Sequence, residues 1–300
     1  MKFSWRYEGP ADRKLRSVLK SFGVTSSLIK VAVYHGGRMQ INGEDKWTVD
    51  LVHPGDEVSL FLPPEQPNDH INASEQPIQI VYEDDDFLIL NKPAGVATVP
   101  AHHVVTADSL VNRVKGYYLR QHYENLVTHV ATRLDKNTSG LVVFPKHRFA
   151  HAVLDRQLKR HQVKKNYLAI VDGQLRVQHG YIDAPIDRDP VTFVQRTVIA
   201  SGKPSATEYW LQAVSHGCSL VKIRLHTGRT HQIRVHFKYL GHPLVGDQMY
   251  GGPNEMKRQA LHCYWMQFYS PFKDQLITVS APLPEDMQQF IDCHFNEKKD

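Results

Sequence analysis

Only three cysteines, Cys218, Cys263 and Cys293, occur in the 300 residues, and no pair is spaced C-x-x-C. So sparse and odd a set argues against a disulfide framework and fits a reducing cytosol. Long apolar runs are missing, so no stretch spans a bilayer. The opening Met1-Lys2-Phe3-Ser4-Trp5-Arg6 lacks the apolar core of a secretory signal. A cytoplasmic protein with no membrane partner is therefore expected. Cofactor signatures are lacking too, with no G-x-G-x-x-G, P-loop or H-E-x-x-H anywhere. His226, His231 and His236 recur every fifth residue, which gives no shared helix face and a poor ligand set. The expectation is an activity without metal or cofactor. No internal repeat and no low-complexity tract interrupts the chain.

What is present fits a soluble globular protein, 41% hydrophobic and 22% charged. A formal net charge of +5 leans towards an anionic partner, and eighteen histidines add positive charge at mildly acid pH. Three hundred residues exceed one minimal domain. Residues 1–62 read as a small α/β domain. Helical spacing over 13–22 sets Leu15, Val18, Leu19 and Phe22 opposite Arg13, Lys14, Arg16 and Lys20. Ser26 or Ser27 is positioned to cap a second helix, and Asn42-Gly43 reads as a hairpin turn. Residues 63–77, proline-rich and aperiodic, read as a linker.

Residues 78–300 read as the large domain. Strands are expected at 78–82 and 87–90, joined by Glu83-Asp84-Asp85-Asp86, which we take as a solvated turn rather than a metal site. A helix over 109–120 and a buried strand over 140–144 follow, then a helix over 149–161. Further strands are expected at 167–171, 206–214, 220–225, 260–268 and 276–280. A helix over 230–240 has Thr230 as its N-cap and Gly241 as its stop, and a last helix begins at Pro284. Many strands without regular βαβ alternation predict an α+β domain on a mostly antiparallel, mixed sheet.

The stretch from Thr128 to Pro145, T-H-V-A-T-R-L-D-K-N-T-S-G-L-V-V-F-P, mounts a polar loop on the buried strand. It offers one carboxylate, Asp135, with Arg133 two residues before it. By itself this reads as an ordinary turn whose Asp caps a backbone N–H. Two further stretches alter that reading. One is Lys164-Lys165-Asn166-Tyr167-Leu168-Ala169-Ile170-Val171, and the other Thr227-Gly228-Arg229-Thr230-His231-Gln232-Ile233-Arg234-Val235-His236, closed by Gly241-His242-Pro243-Leu244. With R-L-D-x-x-T-S-G and Asn91-Lys92-Pro93-Ala94-Gly95, their order and spacing resemble the signatures of RluA-type RNA pseudouridine synthases from about residue 78 onward. Residues 1–62 resemble, more loosely, the small RNA-binding domain named after ribosomal protein S-four.

The resemblance implies isomerisation of uridine in structured RNA, with ribosomal RNA first, transfer RNA second, and a monomeric enzyme. It makes Asp135 the essential carboxylate, acting as nucleophile at the ribose or as base in a glycal route. A buried carboxylate drifts towards its neutral form unless a cation holds it charged, and the family pattern makes that cation Arg234. Tyr167 then packs on the target base, and Arg133 fills the gap that the flipped base leaves. Lys164 and Arg229 are candidates for phosphate contacts, whereas Lys92 reads as structural. One departure is Thr132, where the family usually has His, with His129 three residues earlier. Two competing readings are a non-catalytic RNA-binding or ribosome-assembly factor and a glycoside hydrolase. The latter needs a second catalytic carboxylate that no motif singles out.

Overall fold

Strands that run apolar at every position, such as Phe87-Leu88-Ile89-Leu90 and Leu141-Val142-Val143-Phe144, require cover on both faces of their sheet. The computed structural model, which describes residues 1–67, 69–100 and 108–295, provides it. The first part holds β1 (Lys2–Arg6), β2 (Arg13–Lys14), α1 (Leu15–Ser21), α2 (Ser26–Tyr34), β3 (Arg38–Ile41), β4 (Glu44–Asp45), β5 (Leu51–Val52) and β6 (Glu57–Phe61). Its sheet runs β1-β6-β3-β4.

Next come β7 (Ile80–Glu83), β8 (Phe87–Lys92), α3 (Leu110–Arg120), β9 (Ser139–Pro145), α4 (Arg148–Lys159), β10 (Lys164–Asp172) and β11 (His179–Asp183). After them lie β12 (Ile186–Arg188), β13 (Arg196–Val198), β14 (Ala206–Ser215), β15 (Cys218–Leu225), α5 (Gln232–Tyr239), β16 (Leu261–Ser270), β17 (Gln275–Ser280) and α6 (Glu285–Phe295). Nine of these strands form one sheet, ordered β11-β14-β15-β10-β16-β9-β8-β7, with β17 pairing along β16 beyond the two residues that meet β9.

Every pairing in that sheet is antiparallel except β9 with β16, joined through Ser139–His262 and Gly140–Cys263. The fold is thus α+β on an antiparallel-rich mixed sheet. At the parallel seam the backbones approach closely. A Cβ on Gly140 would stand 2.3 Å from the Cys263 carbonyl oxygen, and its φ of +115° suits glycine alone.

Alternation along the strands divides the cover. Phe87, Ile89, Leu141 and Val143 join Tyr167, Ile223 and the α5 residues Ile233 and Phe237 in the main core. Leu88, Leu90, Val142 and Phe144 face α3, and Ile170 faces α6. Helix α4 serves two cores at i, i+4 spacing. Ala150 and Leu154 enter the main one, while Phe149 and Val153 enter the N-terminal one with Leu15, Val18 and Leu19. Full burial of such side chains contributes about 1.5–3 kcal/mol apiece.

Several local expectations are corrected. The first helix begins at Leu15, because Arg13 and Lys14 pair with Leu51 and Val52. Thr25, not Ser26 or Ser27, caps α2, its hydroxyl accepting the Leu28 N–H at 3.2 Å from an extended backbone. Helix α5 begins at Gln232 behind His231, whose left-handed φ of 57° turns the chain, so Thr230 is not its cap. The Gln232 carboxamide instead satisfies the loop, accepting from Thr227 Oγ1 and the Arg229 N–H. The acidic turn is not merely solvated. Asp84 accepts from Tyr82 and the Phe87 N–H, and buried Asp86 meets His147 at 2.9 Å.

Residues 62–67 and 69–79 carry no helix or strand. Yet Glu65 holds His129 and the Arg148 N–H at 2.9 and 2.8 Å, which fastens this segment to the large sheet's side of the molecule.

Candidate active site

The loop before β9 is held from both sides. Thr98 Oγ1 donates to the Leu134 carbonyl at 2.8 Å and accepts the Leu134 N–H at 3.1 Å. Behind the loop, Thr132 is buried and its hydroxyl accepts the Val143 N–H at 3.2 Å. The Asp135 carbonyl closes a turn with the Thr138 N–H, leaving the carboxylate at the wall of a cleft of about 1320 Å3.

Opposite it, Arg234 projects from the first turn of α5, where the helix end favours anions. Its Nη1 donates to Asp135 Oδ2 at 3.2 Å. The rest of the guanidinium fork is committed to Asp247, with Nε to Oδ2 at 2.6 Å and Nη2 to Oδ1 at 2.8 Å. Tyr250 lies under Arg234, 4.8 Å from ring centre to guanidinium carbon, and its hydroxyl meets His231 Nδ1 at 2.8 Å. Burial opposes the charge on Arg234, but Asp247 and then Asp135 outweigh it and hold its pKa above the ordinary guanidinium value. Burial also pushes His231 down, against the nearby Asp135 charge, and so favours a neutral imidazole.

Tyr167 stands on the same cleft wall, buried, with Cys263 across from it in the sheet. Burial, with help from Cys263, raises the phenol well above its ordinary pKa, so it stays neutral and presents an apolar ring. Lys92 lies wholly buried beneath the loop, donating to the carbonyls of Pro93, Val96 and Lys136 at 2.9, 2.7 and 3.0 Å. Burial brings its pKa down to about 7, against the pull of Asp135. Lys92 thus braces the loop from below.

Six residues were expected at the site, and all line this one cleft. Asp135 and Arg234 are paired, Tyr167 is beside them, and Arg133, Lys164 and Arg229 are exposed along its rim. Arg229 also donates to the Pro204 carbonyl at 3.2 Å. His129 is drawn away, bonded to Glu65 and stacked on His151, so it does not replace the usual His before Arg133.

Sequence reasoning missed Asp247 and Tyr250. Their signal was an acid and an aromatic held between Gly246 and Gly251, both with positive φ, directly after the apolar run Pro243-Leu244-Val245. Lys165 belongs, with Arg156, Lys159, Arg160 and Lys164, to the densest basic run of the chain, which the sequence offers as a phosphate-backbone contact. Lys165 lines the cleft, and burial lowers its pKa. Among the described residues, no cluster of His, Cys, Asp or Glu is arranged to hold a metal ion.

A model described as RNA pseudouridylate synthase matches residues 86–239. An uncharacterised RNA pseudouridine synthase of Bacillus subtilis, YjbO, is 37% identical over 270 residues, covering 90% of this chain and 95% of its own. Ribosomal large subunit pseudouridine synthase D of Xanthomonas campestris is 35% identical over 302 residues, covering 95% of this chain and 89% of its own. Among solved structures, human RNA pseudouridylate synthase domain containing 1 superposes with a TM-score of 0.58 at 26% identity. That match covers 73% of this chain and 87% of the human one.

Proposed function

The chain belongs to the RluA-type RNA pseudouridine synthases, isomerases that convert uridine to pseudouridine in RNA, and from that membership we propose that it acts on structured RNA, ribosomal RNA foremost, through Asp135. The observation that carries this reading is the Asp135–Arg234 pair on the wall of a cleft that also holds Tyr167. In the proposed reaction the C1′–N1 bond of uridine breaks, the uracil turns, and C5 bonds to C1′; C5 gives up its proton and N1 gains one, so product and substrate are isomers. Asp135 acts at the ribose as nucleophile or as base in a glycal route, and Arg234 keeps the carboxylate aimed and charge-matched. Tyr167 offers its ring to the target base. Arg133, exposed at the rim, enters the space left by the flipped nucleotide, while Lys164 and Arg229 meet phosphates.

Residues 1–62 act in this proposal as an S-four-like RNA-binding domain, residues 63–77 as its linker and 78–300 as the catalytic domain. The exposed Arg13, Lys14, Arg16 and Lys20 around α1 support the first assignment. The enzyme works as a cytoplasmic monomer, and its three cysteines are all unpaired.

Mapping pseudouridine across cellular RNA in a deletion strain tests the reading. The strain is complemented with wild type or with Asp135→Ala. At least one ribosomal site should vanish on deletion and return with wild type alone. Equal restoration by Asp135→Ala would remove the role given to that carboxylate. A lost site in transfer RNA would move the substrate there.

A further inference from the structure

Strand register places an aromatic and basic strip on the sheet face opposite Tyr167. His179 and Tyr181 of β11 pair with Trp210 and Glu208 of β14, which pair in turn with Lys222 and Arg224 of β15. Period two sends these six side chains one way and Tyr209 and Ile223 into the main core. The outward rings form a row. His179 stacks on Trp210 at 5.1 Å and 10°, and Arg224 and Lys222 lie over Trp210 at 5.3 and 5.9 Å. Tyr181 is 57% exposed, on the strand at the sheet's edge.

Two observations point to a ligand. Arg224 Nε is buried and meets no acceptor among the described residues. The strip is also continuous with the cleft, because Arg224 and His226 line the cleft wall while His226 touches Tyr181 and bonds Glu208 at 2.9 Å. Glu208 is the one carboxylate among these six residues and is already occupied by His226 and His179, while Asp183 follows Tyr181 on the same face at the end of β11.

We propose that this face is a docking strip for unpaired RNA flanking the target uridine, with bases stacking on Tyr181 and His179 and phosphates meeting Lys222 and Arg224. The proposal rests on the RNA reading above and adds the path of the flanking strand, round the end of β15. Aromatic platforms beside cations hold single strands in this way with little sequence preference.

The test is fluorescence anisotropy of the full chain with labelled oligouridine of about ten nucleotides, and with an abasic ribose-phosphate strand of equal length. The double variant Tyr181→Ala/His179→Ala should bind oligouridine about tenfold to a hundredfold more weakly than wild type. Tyr181→Phe should bind as wild type does, and the abasic strand should bind wild type and double variant alike. Unchanged oligouridine affinity in a folded double variant overturns the strip, and is the result if another protein uses this face. An equal loss for the abasic strand overturns base stacking. If wild type forms pseudouridine while the double variant keeps full affinity, the strip alone fails. If wild type neither binds RNA nor modifies it, the underlying reading fails with it.

Discussion

Arg234 is bound to Asp247 by two hydrogen bonds of 2.6 and 2.8 Å, and only its remaining Nη1 reaches Asp135, at 3.2 Å. Asp247 is 1% exposed and Arg234 5%. The tighter, drier pair therefore fixes the guanidinium, and the more open carboxylate receives what is left of the fork. In the proposed reaction this division would keep Arg234 in place while Asp135 stays open to the ribose.

Substitution of Asp247 by Asn should accordingly act through Arg234. The fork loses one charged acceptor, the guanidinium rotates, and kcat on an RNA substrate falls about a hundredfold with KM little changed. Arg234→Lys, which has no planar fork, should fall further. Breaking a buried pair also destabilises by about 3–5 kcal/mol, so unfolding curves must accompany the kinetics. Wild-type kcat in a folded Asp247→Asn protein would show that Asp247 does not position Arg234.

The parallel seam gives a prediction about the fold. Gly140→Ala places a methyl 2.3 Å from the Cys263 carbonyl oxygen at a φ of +115°. Overpacking and backbone strain together should destabilise by about 3 kcal/mol or more. Gly217 has a φ of +76° with nothing within 4 Å, so Gly217→Ala should lose only about 1–2 kcal/mol. Urea unfolding of both variants checks the contrast, and equal losses would mean that the seam relaxes without strain.

The Asp135–Arg234 pair was legible because each residue sits in its own ordered motif, ninety-nine positions apart, and the motifs imply one another. Buried strands such as Phe87–Lys92 were legible from their unbroken apolar runs. Asp247 was not, since its meaning lies wholly in its contact with Arg234 and a lone Asp between glycines reads as a turn. Strands β11, β12 and β13 were also missed. His179-Gly180-Tyr181-Ile182-Asp183 buries only Ile182 fully, and β12 and β13 are three residues each. The turn at His231 escaped because its left-handed backbone is sustained by Gln232 and Tyr250 and not by a local capping side chain.

Thr132 tests the departure from the family pattern. Its hydroxyl accepts the Val143 N–H, which ties the Asp135 loop to β9 behind the cleft. Thr132→Val keeps the shape and removes the acceptor, leaving a buried N–H unmade at about 1–3 kcal/mol. Unfolding should show that loss while kcat stays near wild type. A collapse of kcat without loss of stability would instead give the hydroxyl a part in the reaction.

His262 should make stability depend on pH. It is wholly buried beside the seam, Nδ1 facing Ser139 Oγ at 2.9 Å, and the charges acting on it are those of Arg258 and Asp286. Burial, foremost, lowers its pKa from the ordinary 6.5 to about 4. Between those values the unfolded chain holds a proton that the folded chain does not. Stability from this residue is therefore complete above pH 6.5 and falls as pH drops towards 4, by about 2 kcal/mol at pH 5. Other buried histidines add to the same trend, so the informative quantity is a difference. Urea unfolding at pH 7 and pH 5 should show a pH penalty about 2 kcal/mol smaller in His262→Gln than in wild type. An equal penalty in both proteins would mean that His262 takes up its proton in the folded state as readily as in the unfolded chain.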